Sequence, residues 1–372
     1  MKRKHIIITK LFEFGGSNTH LKTLIKYFGK ENIVLILEDK NQLQYLSNIE
    51  GADSLVVKIN SKLYPYAHLR YQFTTNLKEI YNILRSILAI QILSIKHGFA
   101  DVTICAVDPE KHLYMLWLPF CKVIYILHTA PNKKYTSFTS YTCNVMLGER
   151  KMIITVSNSN KNLISENWDI SDRSKSFIFV IHNCLIESEF NNECKFIRKS
   201  DGQHIVTFGH VVNYKNPTIW LEVAKLVTSK RKNVHFSWFG NGPLIDYFKK
   251  STEHDDKINF KGVVADPYNY LKKATIYYQP SLFETHGIAV VEAMSNCLPC
   301  VVSDVGGLPE SIQHQYSGLV VHPTNVSEQV NAILSLLDNA ELRKELGLNG
   351  YKKYMNSFSF KIFKIKMDAI YI

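Results

Sequence analysis

The feature that most constrains this chain is a regular alternation of short β-branched runs with helical stretches. Residues 5–9, 33–37 and 123–127 are apolar at almost every position, which is typical of strands buried on both faces of a sheet. Residues 19–29 lie between the first two runs, and their apolar side chains repeat with a helical period. Strands separated by helices predict parallel sheets joined by right-handed crossovers.

The alternation stops once and then restarts. Residues 186–203 are polar and mixed in charge, which is typical of a linker. Further strands are expected at 204–209, 233–239, 258–260, 275–278, 299–303 and 319–321, with a helix at 218–229. A chain of 372 residues is long enough for two cores. We therefore predict an α/β protein with two Rossmann-like, doubly wound domains that face each other across a cleft.

Composition restricts the class and the compartment. The most apolar stretch, 87–95, has about half the length of a membrane span and contains Gln91 and Ser94. The apolar run after the basic first residues is too short for a signal peptide. Seven cysteines, an odd number scattered over the chain, do not suggest a disulfide framework and favour a reducing compartment. We expect a cytoplasmic protein that does not cross a bilayer.

The net charge of +11 is unevenly distributed. Residues 1–198 hold 25 Lys and Arg against 17 Asp and Glu, whereas residues 199–372 hold 19 against 16. A basic first half suits an anionic partner, which would be a membrane surface or nucleic acid. Solvated surface lysines explain the same numbers equally well.

The first candidate loop follows the first strand. Gly15 and Gly16 let a backbone pass close to a ligand, and the helix that follows offers its first N–H groups to an anion. The loop is not a GxGxxG and lacks the Lys-Ser/Thr of a phosphate loop, so it does not predict dinucleotide or ATP binding. A plain turn with Ser17 or Asn18 as helix cap is the alternative.

The second candidate loop, 209–217, follows the first strand of the second half. Its lysine, Lys215, comes just before the next helix and could reach a diphosphate. An ordinary loop with a surface lysine is the alternative.

The third candidate loop joins a strand ending near Gln279 to a helix that opens at Ile288. Gly287 permits a tight entry, and the helix N-terminus suits a diphosphate. Glu284 in the loop could accept hydrogen bonds from a sugar, and Glu292 within the helix could accept them from a ribose diol. A glycosidase acid pair and two solvated helix charges are the alternatives. The apolar neighbours of Glu292 in the sequence argue against solvation.

These residues resemble a known family. The segment from Glu284 to Glu292 is similar to the Glu-x7-Glu motif of retaining glycosyltransferases with the GT-B fold, in particular glycosyltransferase family 4. The resemblance continues in three further segments of the second half, and more thinly in the first half. Those segments are Gly240–Pro243, Val305–Glu310 and Ser317–Val320, and the first-half matches are Gly15–Gly16, His128 and Ile181–Asn183.

The resemblance implies a division of labour along the chain. It makes residues 1–188 an acceptor-binding Rossmann-like domain, 189–202 a linker, 203–355 a nucleotide-sugar-binding Rossmann-like domain, and 356–372 a helix that crosses back to the first domain. Because residues 351–372 alternate aromatic and basic side chains, a membrane-facing role is the alternative for this last stretch.

The resemblance also implies roles for single residues. Glu292 would hold the ribose, Glu284 would bind the donor sugar, and Lys215 would bind the diphosphate. His128 would lie near the sugar as an active-site histidine, with a loop histidine that caps backbone groups as the alternative. The remaining implied contacts are the amides of His286, Gly287 and Ile288 with the phosphates, Gly16 with donor and acceptor, and Gly15 and Ser17 with the acceptor.

Three positions depart from the family pattern. His210 stands where arginine is usual and would complete the donor site beside Lys215, but a neutral imidazole stabilises a leaving diphosphate less than a guanidinium does. Asn216 and Cys297 stand where glycine is usual.

The implied activity is metal-independent, retaining transfer of a hexose or N-acetylhexosamine, with no cofactor. The expected donor is a UDP-sugar, with GDP-mannose next. The expected acceptor is a hydroxyl of a glycan or a lipid-diphosphate-linked oligosaccharide, as in O-antigen, capsule or other surface polysaccharide assembly at the inner face of a membrane. A nucleotide-sugar 2-epimerase of the same fold is the alternative. A nucleic-acid-binding protein is a distant alternative, because it would leave Glu284 and Glu292 without a role.

Overall fold

The computed structural model describes residues 4–12, 15–37, 39–46, 49, 52, 55–59, 77–106, 108–131, 137–186, 203–264 and 266–371. The chain divides into two compact units, Met1–His182 (unit 1) and Asn183–Ile372 (unit 2). Each unit contains a parallel sheet with its own apolar core.

Unit 1 is built on seven parallel strands in the order β3-β2-β1-β4-β5-β6-β7. The strands are β1 (His5–Thr9), β2 (Ile33–Leu37), β3 (Val56–Ile59), β4 (Asp101–Ala106), β5 (Val123–Leu127), β6 (Lys151–Thr155) and β7 (Ile178–Val180). The strand order reverses between β1 and β4, and this is the position at which doubly wound sheets bind ligands.

The helices of unit 1 are α1 (Gly16–Phe28), α2 (Leu43–Leu46), α3 (Leu77–Lys96), α4 (Ser137–Met146), α5 (Asn158–Asn167) and α6 (Asp172–Lys175). Every residue of β2, β4 and β5 is buried, as expected for strands covered on both faces. Their side chains form the core of unit 1 together with Leu113–Trp117, a 3-10 turn.

Unit 2 repeats the design with six parallel strands in the order β10-β9-β8-β11-β12-β13. The strands are β8 (Gln203–Phe208), β9 (Val234–Phe239), β10 (Ile258–Gly262), β11 (Ile276–Gln279), β12 (Cys300–Ser303) and β13 (Leu319–Val321). Here the strand order reverses between β8 and β11, so the loops after these two strands lie side by side at the carboxyl edge of the sheet.

The helices of unit 2 are α7 (Pro217–Lys230), α8 (Ile245–Ser251), α9 (Pro267–Lys273), α10 (Ile288–Ser295), α11 (Leu308–Ser311), α12 (Val326–Asp338), α13 (Ala340–Ser357) and α14 (Phe360–Tyr371). One core centres on Trp220, whose ring packs edge-on against Phe236, Trp238 and Phe260. The Trp220 indole N–H donates to the Thr207 hydroxyl at 2.7 Å, so the buried polar group is satisfied.

The structure confirms the predicted fold class and every strand expected from the sequence, within one or two residues at the ends. Two helical details differ. Helix α1 begins at Gly16, three residues before the expected start, and neither Ser17 nor Asn18 caps it. Instead, the Asn18 amide donates to the Phe12 carbonyl at 2.7 Å, which fastens the loop before the helix.

Two further features bear on the sequence analysis. Phe358 and Phe363 in the last stretch are buried at 1% and 3% exposure, which does not favour the alternative of a membrane-facing role for these two side chains. Five cysteines are buried free thiols, and Cys297 is disulfide-bonded. Among the helices that the structure describes, none is both long and apolar enough to span a bilayer.

Candidate functional site

The second-half candidate residues lie at the switch point of unit 2. Lys215 comes from the loop after β8, and Glu284 comes from the loop after β11. These two loops are joined by their backbones, because the N–H of Leu282 donates to the Tyr214 carbonyl at 2.8 Å. Residues 69 positions apart in the sequence are therefore held as one surface.

Asn216 lies between Lys215 and the start of α7. It adopts the left-handed conformation (φ 61°, ψ 51°), and Pro217 then starts α7. Asparagine tolerates this conformation better than most residues, which explains why it can stand where the family usually has glycine. Its side-chain amide also donates to the Pro323 carbonyl at 3.1 Å.

Lys215 and Glu284 form an ion pair between Nζ and Oε2. Both side chains are largely buried, with 15% and 13% of their surface exposed. The Gln279 amide donates to the same carboxylate oxygen at 2.8 Å, and the Tyr277 hydroxyl donates to Gln279 Oε1 at 2.7 Å. A chain of hydrogen bonds thus runs from the core of the sheet to the ion pair.

Tyr277 remains a neutral hydrogen-bond donor within this series of hydrogen bonds. Burial raises its pKa well above the ordinary tyrosine value, and the carboxylates of Glu292 and Glu284 raise it further. Glu292 in α10 is therefore close enough to Tyr277 for its charge to act on the phenol. Glu292 is half-buried rather than fully solvated.

Helix α10 begins at Ile288, directly after the loop that carries Glu284. Gly287 is its N-cap residue with φ 87°, and no side chain in the described ranges forms a capping hydrogen bond there. The first N–H groups of a helix have no acceptor within the helix, and they form a partly positive site for an anion. Ile288 and Ala289, the first residues of the helix, are partly exposed.

His286 turns its side chain inward. Its ring is 1% exposed and packs edge-on against Phe358, with the centroids 5.3 Å apart. Its carbonyl accepts from the Ser311 hydroxyl at 3.3 Å. The side chain therefore packs into the interior of unit 2 and anchors the loop.

Gly306 and Gly307 explain a motif to which the sequence assigned no role. A Cβ on Gly306 would lie 1.8 Å from the Glu284 carbonyl oxygen, and a Cβ on Gly307 would lie 2.3 Å from that of Thr285. The Gly307 N–H donates to the Glu284 carbonyl at 3.0 Å. The paired glycines therefore let the loop after β12 support the Glu284 backbone from behind.

Gly240 and Gly242 act in the same way on the loop after β8. A Cβ on Gly240 would lie 2.1 Å from the Gly209 carbonyl oxygen, and one on Gly242 would lie 2.6 Å from that of Val211. These close contacts fix the backbone on either side of His210. Both glycine motifs are thus structural supports of the two candidate loops.

His210 lies between Gly209 and Val211, where it interacts with Lys215. Burial lowers the pKa of its imidazole, and the positive charge of Lys215 lowers it further. A hydrogen bond to the Asn241 backbone acts in the opposite direction. His210 is therefore a neutral group at pH 7, beside the positively charged Lys215.

The first-half candidates lie at the carboxyl edge of the sheet in unit 1. Gly15 has φ 127° and is the N-cap residue of α1, which begins at Gly16. The Ser17 hydroxyl lies 3.4 Å from Asn18 Oδ1. His128 directly follows β5, and its N–H donates to the Ala106 carbonyl at 3.4 Å.

The structure adds two residues to His128 that the sequence did not identify. The His20 ring, one turn into α1, packs edge-on against the His128 ring at 4.2 Å, and Cys105 in β4 completes the group. One ligand atom from each side chain lies within 4.8 Å of the others, and within the described ranges this is the only such group of three or more metal-ligand side chains. Burial lowers the pKa of His128 to about 4 and raises that of Cys105 to about 12.

Residues 190–353 match the family described as glycosyl transferases group 1. The matched segment contains Lys215, Glu284 and Glu292, together with both glycine motifs. The group 1 match therefore covers the loops that the structure brings together in unit 2.

Curated glycosyltransferases are similar to this chain at low identity. An uncharacterized glycosyltransferase of Methanocaldococcus jannaschii is 29% identical over 214 residues, which are 56% of this chain and 56% of the relative. The UDP-Gal:alpha-D-GlcNAc-diphosphoundecaprenol alpha-1,3-galactosyltransferase of Escherichia coli is 26% identical over 170 residues, 44% of each. The matches span about half the length of these relatives.

Solved structures extend the likeness to the whole chain. A glycosyltransferase from Rickettsia africae has a TM-score of 0.79 at 18% identity, covering 100% of this chain and 98% of that one. Anabaena HepE in complex with UDP-glucose has a TM-score of 0.75 at 15% identity, with 99% of both chains covered. The chain thus has two Rossmann-like α/β units of the GT-B fold. At 18% and 15% identity, the likeness to these two structures shows the fold alone.

Proposed function

We propose that this chain is a retaining glycosyltransferase that transfers a hexose or N-acetylhexosamine from a nucleotide diphosphate sugar to a hydroxyl group. The observation that carries the proposal is the Lys215–Glu284 ion pair, held at the switch point of unit 2 beside the start of α10. A lysine, a carboxylate and a helix N-terminus in one place suit a ligand that joins a diphosphate to a sugar.

Each part of that ligand has a partner of matching chemistry. The diphosphate would bind the Lys215 ammonium and the amides around His286, Gly287 and Ile288. The sugar hydroxyls would donate to Glu284, and the ribose hydroxyls to Glu292, which lies about one turn into α10. His210 would add a neutral hydrogen bond beside Lys215.

The proposed reaction breaks the bond between the anomeric carbon and the diphosphate oxygen and forms a bond from that carbon to the acceptor oxygen. The acceptor approaches from the face that the leaving group vacates, so the anomeric configuration is retained and the acceptor proton passes to the leaving phosphate. Negative charge grows on the diphosphate as it leaves, and Lys215 with the α10 amides would stabilise it where the barrier is highest. A metal ion is not required for this step.

The donor and the acceptor are proposed from chemistry and from the relatives. A UDP-sugar is favoured, because the Escherichia coli relative is named for UDP-Gal and the Anabaena structure holds UDP-glucose. GDP-mannose is the second candidate. A lipid-diphosphate-linked glycan is the favoured acceptor, since the same relative is named for a diphosphoundecaprenol substrate.

The test begins with a thermal-shift panel of UDP-, GDP- and dTDP-sugars, because a ligand that binds only the folded chain raises its melting temperature. The donor that binds is then incubated with and without a lipid-diphosphate-linked acceptor, and nucleoside diphosphate release is measured. We expect faster release of nucleoside diphosphate when the acceptor is present. NMR of the product should show the same anomeric configuration as that of the donor.

Glu292→Ala is the decisive variant, and Glu222→Ala, an exposed acid on α7 in the same unit, is its control. We expect the first to lose nucleotide affinity and turnover by at least about tenfold, and the second to match the wild type. Unchanged affinity and turnover in Glu292→Ala would refute the proposed donor site. Conversion of the donor to a free epimer without acceptor would identify the 2-epimerase instead.

A further inference from the structure

Helix α3 of unit 1 presents a broad apolar face to solvent. The side chains of Leu84, Leu88 and Ile92 are 60%, 61% and 58% exposed. Ile80, Tyr81 and Ile95 extend the same face, with exposures of 41%, 63% and 50%. At about 100° per residue, these six positions fall within an arc of about 120°. A surface helix normally carries polar residues there.

The opposite face of α3 fixes its orientation. Ile90 and Leu93 are buried in the core of unit 1, at 0% and 8% exposure. Ser94 is also fully buried, and its hydroxyl donates to the Ala100 carbonyl at 2.6 Å. The helix is therefore packed on one side as ordinary core, and its exposed apolar face is a second, separate surface.

Two exposed phenylalanines add apolar surface close to the end of α3. Phe99 and Phe120 are 50% and 71% exposed and precede β4 and β5, which are neighbouring strands. Both have φ near 59°, a conformation that bulky residues rarely adopt. The backbone thus holds two aromatic rings outward at the same edge of the sheet. We call α3's exposed apolar side chains with Phe99 and Phe120 the α3 surface.

Basic side chains border the α3 surface. Arg85 and Lys96 are exposed on α3, at one edge of the apolar arc. Arg150 donates to the Phe120 carbonyl at 2.9 Å, with Glu149 as its acidic neighbour in the chain. Over the sequence of unit 1, 23 Lys and Arg stand against 14 Asp and Glu. An apolar face with a positive border is the pattern of a helix that lies in an anionic membrane interface.

We infer that the α3 surface docks the chain on an anionic lipid membrane, with α3 lying in the plane of the interface. A helix of 20 residues spans about 30 Å, and when it lies in the interface plane its six apolar side chains can reach the boundary between the lipid headgroups and the acyl chains. A second copy of this chain would offer the same positive border, whereas anionic lipid offers the opposite charge. The charge complementarity therefore favours lipid over self-association.

The test is flotation of the purified chain with vesicles of phosphatidylglycerol and phosphatidylcholine, compared with phosphatidylcholine alone. We expect the wild type to bind the anionic vesicles at least about tenfold more strongly, and to lose binding as salt rises. The triple variant Leu84→Ser, Leu88→Ser, Ile92→Ser should bind at least about tenfold less. The variant Arg85→Glu, Lys96→Glu should also bind less, while leaving the apolar side chains intact.

The control is Tyr247→Ser with Val263→Ser, which removes two apolar side chains of unit 2 that are 70% and 50% exposed. It should bind vesicles like the wild type, and circular dichroism should show that all variants remain folded. Wild-type binding by both α3 variants would overturn the inference. So would a wild type that does not float but sediments as a dimer that the triple variant dissociates. These assays need no nucleotide or acceptor, so their failure is distinct from a failure of the proposed transferase.

Discussion

Lys215 and Glu284 hold each other through a direct ion pair, although the proposed reaction assigns them to different parts of one ligand. The lysine would bind the diphosphate, and the carboxylate would bind the sugar. Because both side chains are largely buried, each would lose a strong partner if the other were removed. Donor binding must therefore exchange this ion pair for contacts with the ligand.

The exchange predicts opposite effects of Glu284→Gln on binding and on turnover. Without the carboxylate, Lys215 is available to the diphosphate, so affinity for UDP, which has no sugar, should rise by about two- to tenfold. Turnover of the UDP-sugar should fall by at least about 100-fold, because the sugar loses its charged acceptor. Calorimetry with UDP and initial rates with the sugar donor measure the two effects.

Lys215→Ala is the reference variant for loss of UDP binding, and Glu222→Gln is the control for removal of an acid outside the site. The lysine variant should lose both UDP affinity and turnover, whereas the exposed Glu222 on α7 should leave both unchanged. If Glu284→Gln weakened UDP binding as much as Lys215→Ala does, the ion pair would not compete with the ligand, and the exchange would be excluded.

A second prediction concerns His210, which is neutral at pH 7 because burial and Lys215 lower its pKa. His210→Arg introduces a permanent charge that can form two hydrogen bonds with a phosphate. We expect UDP affinity to rise by about fivefold, measured by calorimetry at fixed salt. His204→Arg, near the opposite end of β8, is the matched control for added charge. An equal gain in that control would mean that the charge acts only at long range.

The paired glycines behind Glu284 give a third prediction. Gly306 has φ 54°, and its added Cβ would meet the Glu284 carbonyl at 1.8 Å. Gly98 has a similar φ of 73°, but nothing lies within 4 Å of its Cβ position. Gly98→Ala should therefore cost only the backbone strain, about 1–2 kcal/mol of unfolding free energy.

Gly306→Ala should add the collision to that strain, and it must displace the backbone that carries Glu284. We expect a larger loss of stability in unit 2 and a fall in UDP affinity of at least about tenfold. Urea unfolding and calorimetry check both parts. If Gly306→Ala lost no more stability and no more UDP affinity than Gly98→Ala, glycine would be needed at position 306 only for its positive φ.

The local pattern of the sequence predicted most strands, but it could not predict which side chains would meet. β2 and β5 consist of continuous apolar residues, so their burial could be read directly. β4 begins with Asp101 and contains Thr103, and this mixed pattern carried no clear strand signal. The strand is nevertheless central, because it pairs with β1 on one side and with β5 on the other.

The site shows the same division. Glu284, Gly287 and Glu292 lie within nine residues, and their spacing was enough to predict one loop with its helix. His20, Cys105 and His128 come from three separate elements, and only the parallel sheet brings them together. The exposure of α3 is likewise a tertiary property, since a helix with apolar residues on two faces does not reveal from sequence which face the core will cover.

A fourth prediction follows from the low pKa of His128. Burial lowers it to about 4, below the value of about 6.5 expected in the unfolded chain. Between these pH values the unfolded chain binds a proton that the folded chain does not bind, so the free energy of unfolding falls as the pH falls. Removing the imidazole with His128→Asn should lessen this loss by about 1–2 kcal/mol at pH 5.

The measurement is the urea concentration at the midpoint of unfolding of unit 1, at pH 7.5 and at pH 5. Pulse proteolysis, with detection of fragments that contain β5, monitors this unfolding. Following unit 1 separately avoids the titration of His204 and His210, whose pKa values are also lowered but which belong to unit 2. An identical pH dependence in wild type and His128→Asn would show that His128 titrates normally.

The last prediction concerns metal ions. We expect EDTA to leave transferase activity unchanged within about two-fold, because Lys215 and the α10 amides are proposed to stabilise the leaving group.

Zinc should inhibit, since two imidazoles and a thiol whose ligand atoms lie within 4.8 Å form a donor set that suits it. Inhibition should strengthen with rising pH, because the Cys105 thiol, whose pKa burial raises to about 12, must lose its proton to bind. Cys105→Ser, compared with its own zinc-free activity, should need at least about tenfold more zinc. Equal zinc sensitivity of Cys105→Ser and the wild type would place the inhibitory ion elsewhere, and a loss of activity in EDTA would contradict a metal-independent reaction.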